Sequence, residues 1–157
     1  MLHFFQSKDI ADYKEVFTGL QDVFENEHWP SILTWCEIIS DDFESDKIGY
    51  WQVWLISEKN KTIGICGLYS LCGSDTSELW LGWLGLLPEY RGGGRGYGIL
   101  CFLEAAAKVV GCAAILSYIE PGDQPLNFYQ KHGFNIINHP DPYYAEHGYL
   151  VIQKKMG

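Results

Sequence analysis

Leu84-Gly85-Leu86-Leu87-Pro88-Glu89-Tyr90-Arg91-Gly92-Gly93-Gly94-Arg95-Gly96 decides how this chain is read. An apolar, strand-like run stops at Pro88. A short turn with four glycines and two arginines follows, and Tyr97 to Val110 then has the spacing of a helix. Small residues at the mouth of a helix let a ligand come close to the backbone. The first helical turn leaves N–H groups unpaired and sets the positive end of the helix dipole beside them. Such a place binds anions, phosphate above all. The spacing Arg91-x-x-Gly94-x-Gly96 is not a nucleotide P-loop, because no Gly-Lys-Ser/Thr follows. It is not a dinucleotide fingerprint either: counted from Gly92 or from Gly94, the third glycine or alanine is replaced by Tyr97 or Ile99.

Outward from this turn, the pattern predicts strands over Leu2–Gln6, Gly49–Ser57, Thr62–Ser70, Glu78–Leu86, Cys112–Ile119, Phe134–Asn138 and His147–Lys154. It predicts helices over Asp9–Val23, Ser31–Phe43, Tyr97–Val110 and Gln124–Lys131. Glu58-Lys59-Asn60-Lys61 makes a hairpin turn. Strand 78–86, the following helix and strand 112–119 form a β-α-β unit, with parallel strands and a right-handed crossover. His139-Pro140-Asp141-Pro142 reads as a break in regular structure. The expectation is a single α/β domain over 1–157, with one mixed sheet and helices on both faces.

At 157 residues and 47% hydrophobic content the chain can bury a core and is not a disordered segment. No apolar run reaches the roughly 20 residues of a membrane span, and the first residues do not read as a secretory signal. Five cysteines, an odd count without a Cys-x-x-Cys pair, suggest reduced thiols, no metal site and a cytoplasmic protein. The net charge is −9, and it is lopsided. Up to Glu58 there are 12 acids and 3 bases (3 − 12 = −9); beyond it, 8 acids and 8 bases cancel. This balance disfavours nucleic acid and suits a cationic small partner.

The glycine turn and a second motif, Gln124-Pro125-Leu126-Asn127-Phe128-Tyr129-Gln130-Lys131-His132-Gly133-Phe134, together resemble the GCN5-related N-acetyltransferase (GNAT) superfamily. The order of elements before and after them fits as well. The resemblance implies the acyl-CoA N-acyltransferase fold, with the central mixed sheet splayed between strands 78–86 and 112–119. It implies acetyl-CoA as co-substrate and no metal. The glycine turn would hold the pyrophosphate, drawing on Arg91, Gly92, Gly93, Gly94, Arg95, Gly96 and Tyr97. The pantetheine arm would lie along Leu84, Gly85 and Leu86, whose backbone a split sheet leaves unpaired. Asp123 stands near a cofactor-contacting position of the family, and a helix N-cap is its other reading.

The implied chemistry is attack of an amine on a thioester, in a ternary complex. Tyr129 matches the family's tyrosine that protonates the leaving thiolate; at ordinary values, about 10 for tyrosine and about 8.5 for a thiol, the transfer needs no large perturbation. Glu78 is the expected base, since it shares the parity of Leu84 and Leu86 and so faces their side in an unbroken strand. Asp41, Asp42, Asp75 and His147 are further candidates for the base. A backbone N–H near Leu86 would hold the oxyanion. The resulting expectation is an acetyl-CoA-dependent N-acetyltransferase acting on a cationic amine, with a homodimer among the assemblies it allows. A catalytically silent acyl-CoA sensor, or transfer of another acyl chain or to a hydroxyl, are the alternatives.

Overall fold

Lys59 and Asn60 have φ of 51° and 64°. Two successive left-handed residues are what a two-residue hairpin loop needs to match the twist of its strands. They join β2 (Ile48–Glu58) to β3 (Lys61–Leu71), with Glu58 opposite Lys61. The computed structural model describes residues 1–20, 48–71, 76–120 and 125–157; the helix expected over Ser31–Phe43 lies outside them. Around the hairpin are β1 (Leu2–Phe5), α1 (Ile10–Gly19), β4 (Glu78–Leu86), a 3-10 turn (Pro88–Tyr90), α2 (Arg95–Val109) and β5 (Ala114–Ile119). Then come α3 (Pro125–Lys131), β6 (Asn135–Ile137), α4 (Pro142–Glu146) and β7 (Leu150–Lys155).

Among the described residues the sheet has seven strands in the order β1-β2-β3-β4-β5-β7-β6. Every neighbouring pair is antiparallel except β4 and β5, the two joined through α2. Alternation along the strands sorts the core. Leu79, Leu81 and Leu86 of β4 and Ile115 and Ile119 of β5 face one side, where they meet Ile99, Leu100, Leu103 and Ala107 of α2 and Tyr129 of α3. Trp80, Leu116 and Val151 face the other, against Tyr144 of α4. Helices therefore cover both faces, as the sequence predicts.

Three sequence readings need refinement. The break falls at residues 138–141, after β6, but Pro142 belongs to a new helix: Asp141 caps α4, accepting from the Tyr143 N–H at 2.9 Å, and Pro142 takes the first helical position, where its missing N–H costs nothing. His147 closes that helix, so the last strand begins at Leu150 rather than His147. Strand β5 also begins at Ala114 rather than Cys112, because the Cys112 N–H still bonds the Ala107 carbonyl at the end of α2.

Candidate functional site

β4 and β5 pair at Glu78–Ala114, Leu79–Ile115 and Trp80–Leu116, and then part. Beyond Trp80, β4 stays with β3 up to Leu86, while β5 stays with β7 up to Ile119. A bulge accompanies the parting. Ile65 and Gly67 of β3 enclose one residue, whereas their partners Gly85 and Gly82 enclose two, Trp83 and Leu84. The extra residue bends its strand and increases the local twist.

The bulge removes the parity argument for Glu78. An added residue reverses the alternation, so Leu84 and Leu86 belong with Leu79 and Leu81 against α2, while Glu78 shares the side of Trp80. Glu78 is exposed and sits at the closed end of the gap, paired to Ala114. From there to Leu81, where the gap opens, is about 10 Å at strand rise.

At the other end, Leu87 donates its N–H to the Ile63 carbonyl at 2.8 Å, across to β3. Backbone polar groups alternate sides along a strand, so those of Leu86 point into the gap. The Leu86 carbonyl is taken by Arg91 Nε at 3.0 Å. The Leu86 N–H is the one the gap can use, with the backbone of Leu84 and Gly85 beside it.

The loop that follows is held open by glycine. Gly92, Gly93 and Gly94 have φ of 86°, 66° and 78°, a region costly for any side chain. A Cβ at Gly92 or Gly94 would meet nothing, so backbone conformation alone demands glycine there. Gly96 differs: its Cβ would stand 2.9 Å from Phe128 Cζ, so it is small to let α2 lie against α3. The Arg91 N–H bonds Pro88, the Arg95 N–H bonds Gly92 and the Gly98 N–H bonds Gly94. Among the described residues the N–H groups of Gly92, Gly93, Gly94, Gly96 and Tyr97 meet no protein carbonyl. These five donors lie at the positive end of α2, where the sequence reading expects an anion.

Arg95 is not free to join them. Its Nε and Nη2 donate to the two carboxylate oxygens of Glu58, at 2.6 and 3.1 Å, and its Nη1 donates to the Tyr90 carbonyl at 3.2 Å. The Glu58 hydrogen bond holds the guanidinium above its ordinary pKa, and the same bond holds the Glu58 carboxyl below its own. Tyr97 is 56% exposed, with its ring 4.9 Å from that of His132. Asp123, Asp41, Asp42 and Asp75 lie outside the described residues.

Tyr129 is 7% exposed, between the rings of Phe128 and Phe134 at 5.4 and 5.3 Å. Burial pushes its pKa up to about 12, above the ordinary value near 10.

Over the Trp80 side lies a layer of rings that sequence reading missed as a unit. Trp80 stacks on Tyr144 at 5.1 Å and meets the His139 edge at 5.4 Å; Tyr118 contacts Tyr144 and Tyr149, and Tyr143 contacts His147 at 4.1 Å. The two histidines are set in opposite tautomers. His139 Nδ1 accepts from the Asp141 N–H at 3.1 Å, which puts the neutral ring's proton on Nε2. His147 Nδ1 lies 2.7 Å from the Tyr143 carbonyl, which can only accept, so the neutral ring's proton sits on Nδ1. A cavity of about 350 Å³ opens beside this layer, walled by Ile137, His139, Tyr144 and Tyr149, but on the β6 side and away from the gap.

Residues 49–136, more than half of the chain, match the family described as acetyltransferase (GNAT) domain. No curated protein matches in sequence. Among solved structures, an aminoglycoside 6'-N-acetyltransferase complexed with coenzyme A aligns with a TM-score of 0.75 at 14% identity, over 99% of this chain and 96% of its own. An acetyltransferase from Streptococcus agalactiae aligns at 0.72 and 15%, over 99% and 98%. A GNAT family acetyltransferase from Elizabethkingia anophelis with acetyl-CoA bound aligns at 0.58 and 16%, over 68% and 76%. At these identities the likeness is one of fold.

Proposed function

The chain belongs to the acetyltransferase (GNAT) family, and from that membership we propose that it transfers the acetyl group of acetyl-CoA to a primary amine of a cationic small molecule or peptide. The observation that carries this reading is the parting of β4 from β5 after Trp80, beside a loop with five N–H groups that meet no carbonyl among the described residues. A diphosphate fits that loop. An extended amide arm fits the freed edge at Leu84, Gly85 and Leu86, and the thioester then comes to lie in the gap. The Leu86 N–H stabilises the carbonyl oxygen as it gains charge, an effect worth about 3 kcal/mol in a dry site.

The two faces divide the remaining work. Tyr129, on the α2 side, donates a hydrogen bond to the departing thiolate. The amine comes from the Trp80 side, where the ring layer offers faces to a cation. His147, whose Nδ1 is engaged with the Tyr143 carbonyl, is our candidate to take the amine's proton at Nε2, through a water. Glu78, exposed at the closed end, is poorly placed for that task. The charge of −9, carried before residue 59, supports a cationic acceptor.

Thiol release from acetyl-CoA across a panel of cationic, neutral and anionic amines tests the proposal. Reaction confined to anionic or neutral amines would remove the cationic acceptor. Coenzyme A binding without thiol release from any amine would favour the sensor reading, which the displaced Glu78 keeps in play.

A further inference from the structure

Arg95 is the centre about which the glycine loop is wound. Its Nη1 holds two loop carbonyls, of Tyr90 at 3.2 Å and Gly92 at 3.5 Å. The same atom lies 3.2 Å from where a Cβ of Gly93 would be, and the guanidinium carbon stands 5.8 Å from the centre of the Tyr90 ring. The loop thus turns carbonyl oxygens inward, onto a cation. In a trans peptide the C=O and the next N–H point in opposite directions. Drawing in the Gly92 carbonyl therefore turns the Gly93 N–H outward, on the side where an anion would sit.

A lone cation could not do this without competing for the anion itself. Glu58 prevents that competition. It grips the guanidinium with both oxygens, at 2.6 and 3.1 Å, a fork-to-fork geometry that fixes direction as well as charge. Glu58 is also rigidly placed, as the last residue of β2 before the two-residue turn through Lys59 and Asn60. Glu58 and Arg95 are 37 residues apart, so the brace ties the β2–β3 hairpin to the first residue of α2.

We infer that Glu58 and Arg95 are positioning residues of the diphosphate loop: Arg95 gathers the loop carbonyls, Glu58 orients and neutralises Arg95, and the outward N–H groups bind the diphosphate. The inference rests on the acyl-donor reading above and adds to it a residue, Glu58, that touches no ligand. It also reassigns Arg95 from phosphate ligand to internal support.

Isothermal titration tests it with two probes: coenzyme A, and pantetheine, which lacks the diphosphate and the nucleotide. Glu58→Ala should weaken coenzyme A about tenfold and leave pantetheine within about twofold of wild type. Glu58→Gln, which keeps one arm of the fork, should fall between, and it stands in if the alanine variant does not fold. Arg95→Lys should resemble Glu58→Ala, because one ammonium cannot span two carbonyls and a carboxylate. Unchanged coenzyme A affinity in these variants would overturn the inference while leaving the acyl-donor reading intact. An equal loss for both probes would overturn it too, as a general loosening of the fold. A wild-type protein that fails to bind coenzyme A would instead overturn the acyl-donor reading.

Discussion

The two sides of the parted sheet are made of different material. The end proposed for the diphosphate is backbone: five N–H groups of residues 92–97, presented by three glycines with positive φ. The opposite side is side chain: Trp80, Tyr118, His139, Tyr143, Tyr144, His147 and Tyr149, brought together from β4, β5 and the segment around α4. A backbone site tolerates little change of conformation and is indifferent to what its side chains carry. A ring layer tolerates conformational adjustment and depends on each ring. If that contrast is right, substitutions on the two sides should fail in different quantities, affinity for the donor on one and handling of the amine on the other.

The largest effect is expected from Gly94→Val. Gly94 caps α2 at φ 78° and a Cβ there meets nothing within 4 Å, so the substitution acts chiefly through the backbone. Strain of about 1–3 kcal/mol at such a position is relieved by moving the loop, which misplaces the N–H groups. Coenzyme A affinity should fall by up to about a hundredfold on titration, at 1.4 kcal/mol for each factor of ten. Unchanged affinity would mean that the loop is not a backbone site.

Next comes Tyr129→Phe. A hydrogen bond to a charged group is worth about 1.5–3 kcal/mol, so turnover should drop roughly thirtyfold while coenzyme A affinity holds. The pH dependence separates hydrogen bonding from proton transfer. With its pKa pushed up to about 12, Tyr129 keeps its proton through the neutral range and should contribute no basic limb below about pH 10. The sign for stability follows. The folded-state value lies above the unfolded one, so this contribution is fully present below about pH 10 and is lost as the pH rises through about 12, a total of roughly 2–3 kcal/mol. A basic limb near pH 8 that vanishes in the phenylalanine variant would mean that Tyr129 does transfer its proton.

The same contrast explains what could be read in advance. The glycine loop was legible because an anion site made of N–H groups demands glycine at fixed offsets from a helix start. Tyr129 was legible from the motif around it, but its burial was not, because Phe134 and the α2 face surround it only in the folded chain. The Glu58–Arg95 brace left no local signal, since a charged residue at the end of a hairpin strand is ordinary until its partner 37 residues away is known. The β4 bulge was equally hidden: one extra residue between Gly82 and Gly85 is defined against β3, not along β4. Helix α4 was a misreading rather than a missing signal. Asp141 before Pro142 is a helix start as much as a break, and the capping bond from Tyr143 decides it.

The smallest effects test the side-chain half of the comparison, and they are informative as a pair. His147→Ala should lower the acetyl-transfer rate about tenfold at neutral pH, with coenzyme A affinity unchanged. Glu78→Gln should change the rate less than about threefold. The ordering follows from placement. His147 belongs to the ring layer and has its Nδ1 engaged with the Tyr143 carbonyl, whereas Glu78 is exposed where β4 is still paired with β5. A carboxylate about 10 Å from the opening of the gap would need more than one water to reach the amine. Should the order reverse, with Glu78→Gln the more damaging change, the amine must enter near the closed end, and the ring layer would be packing rather than part of the acceptor path.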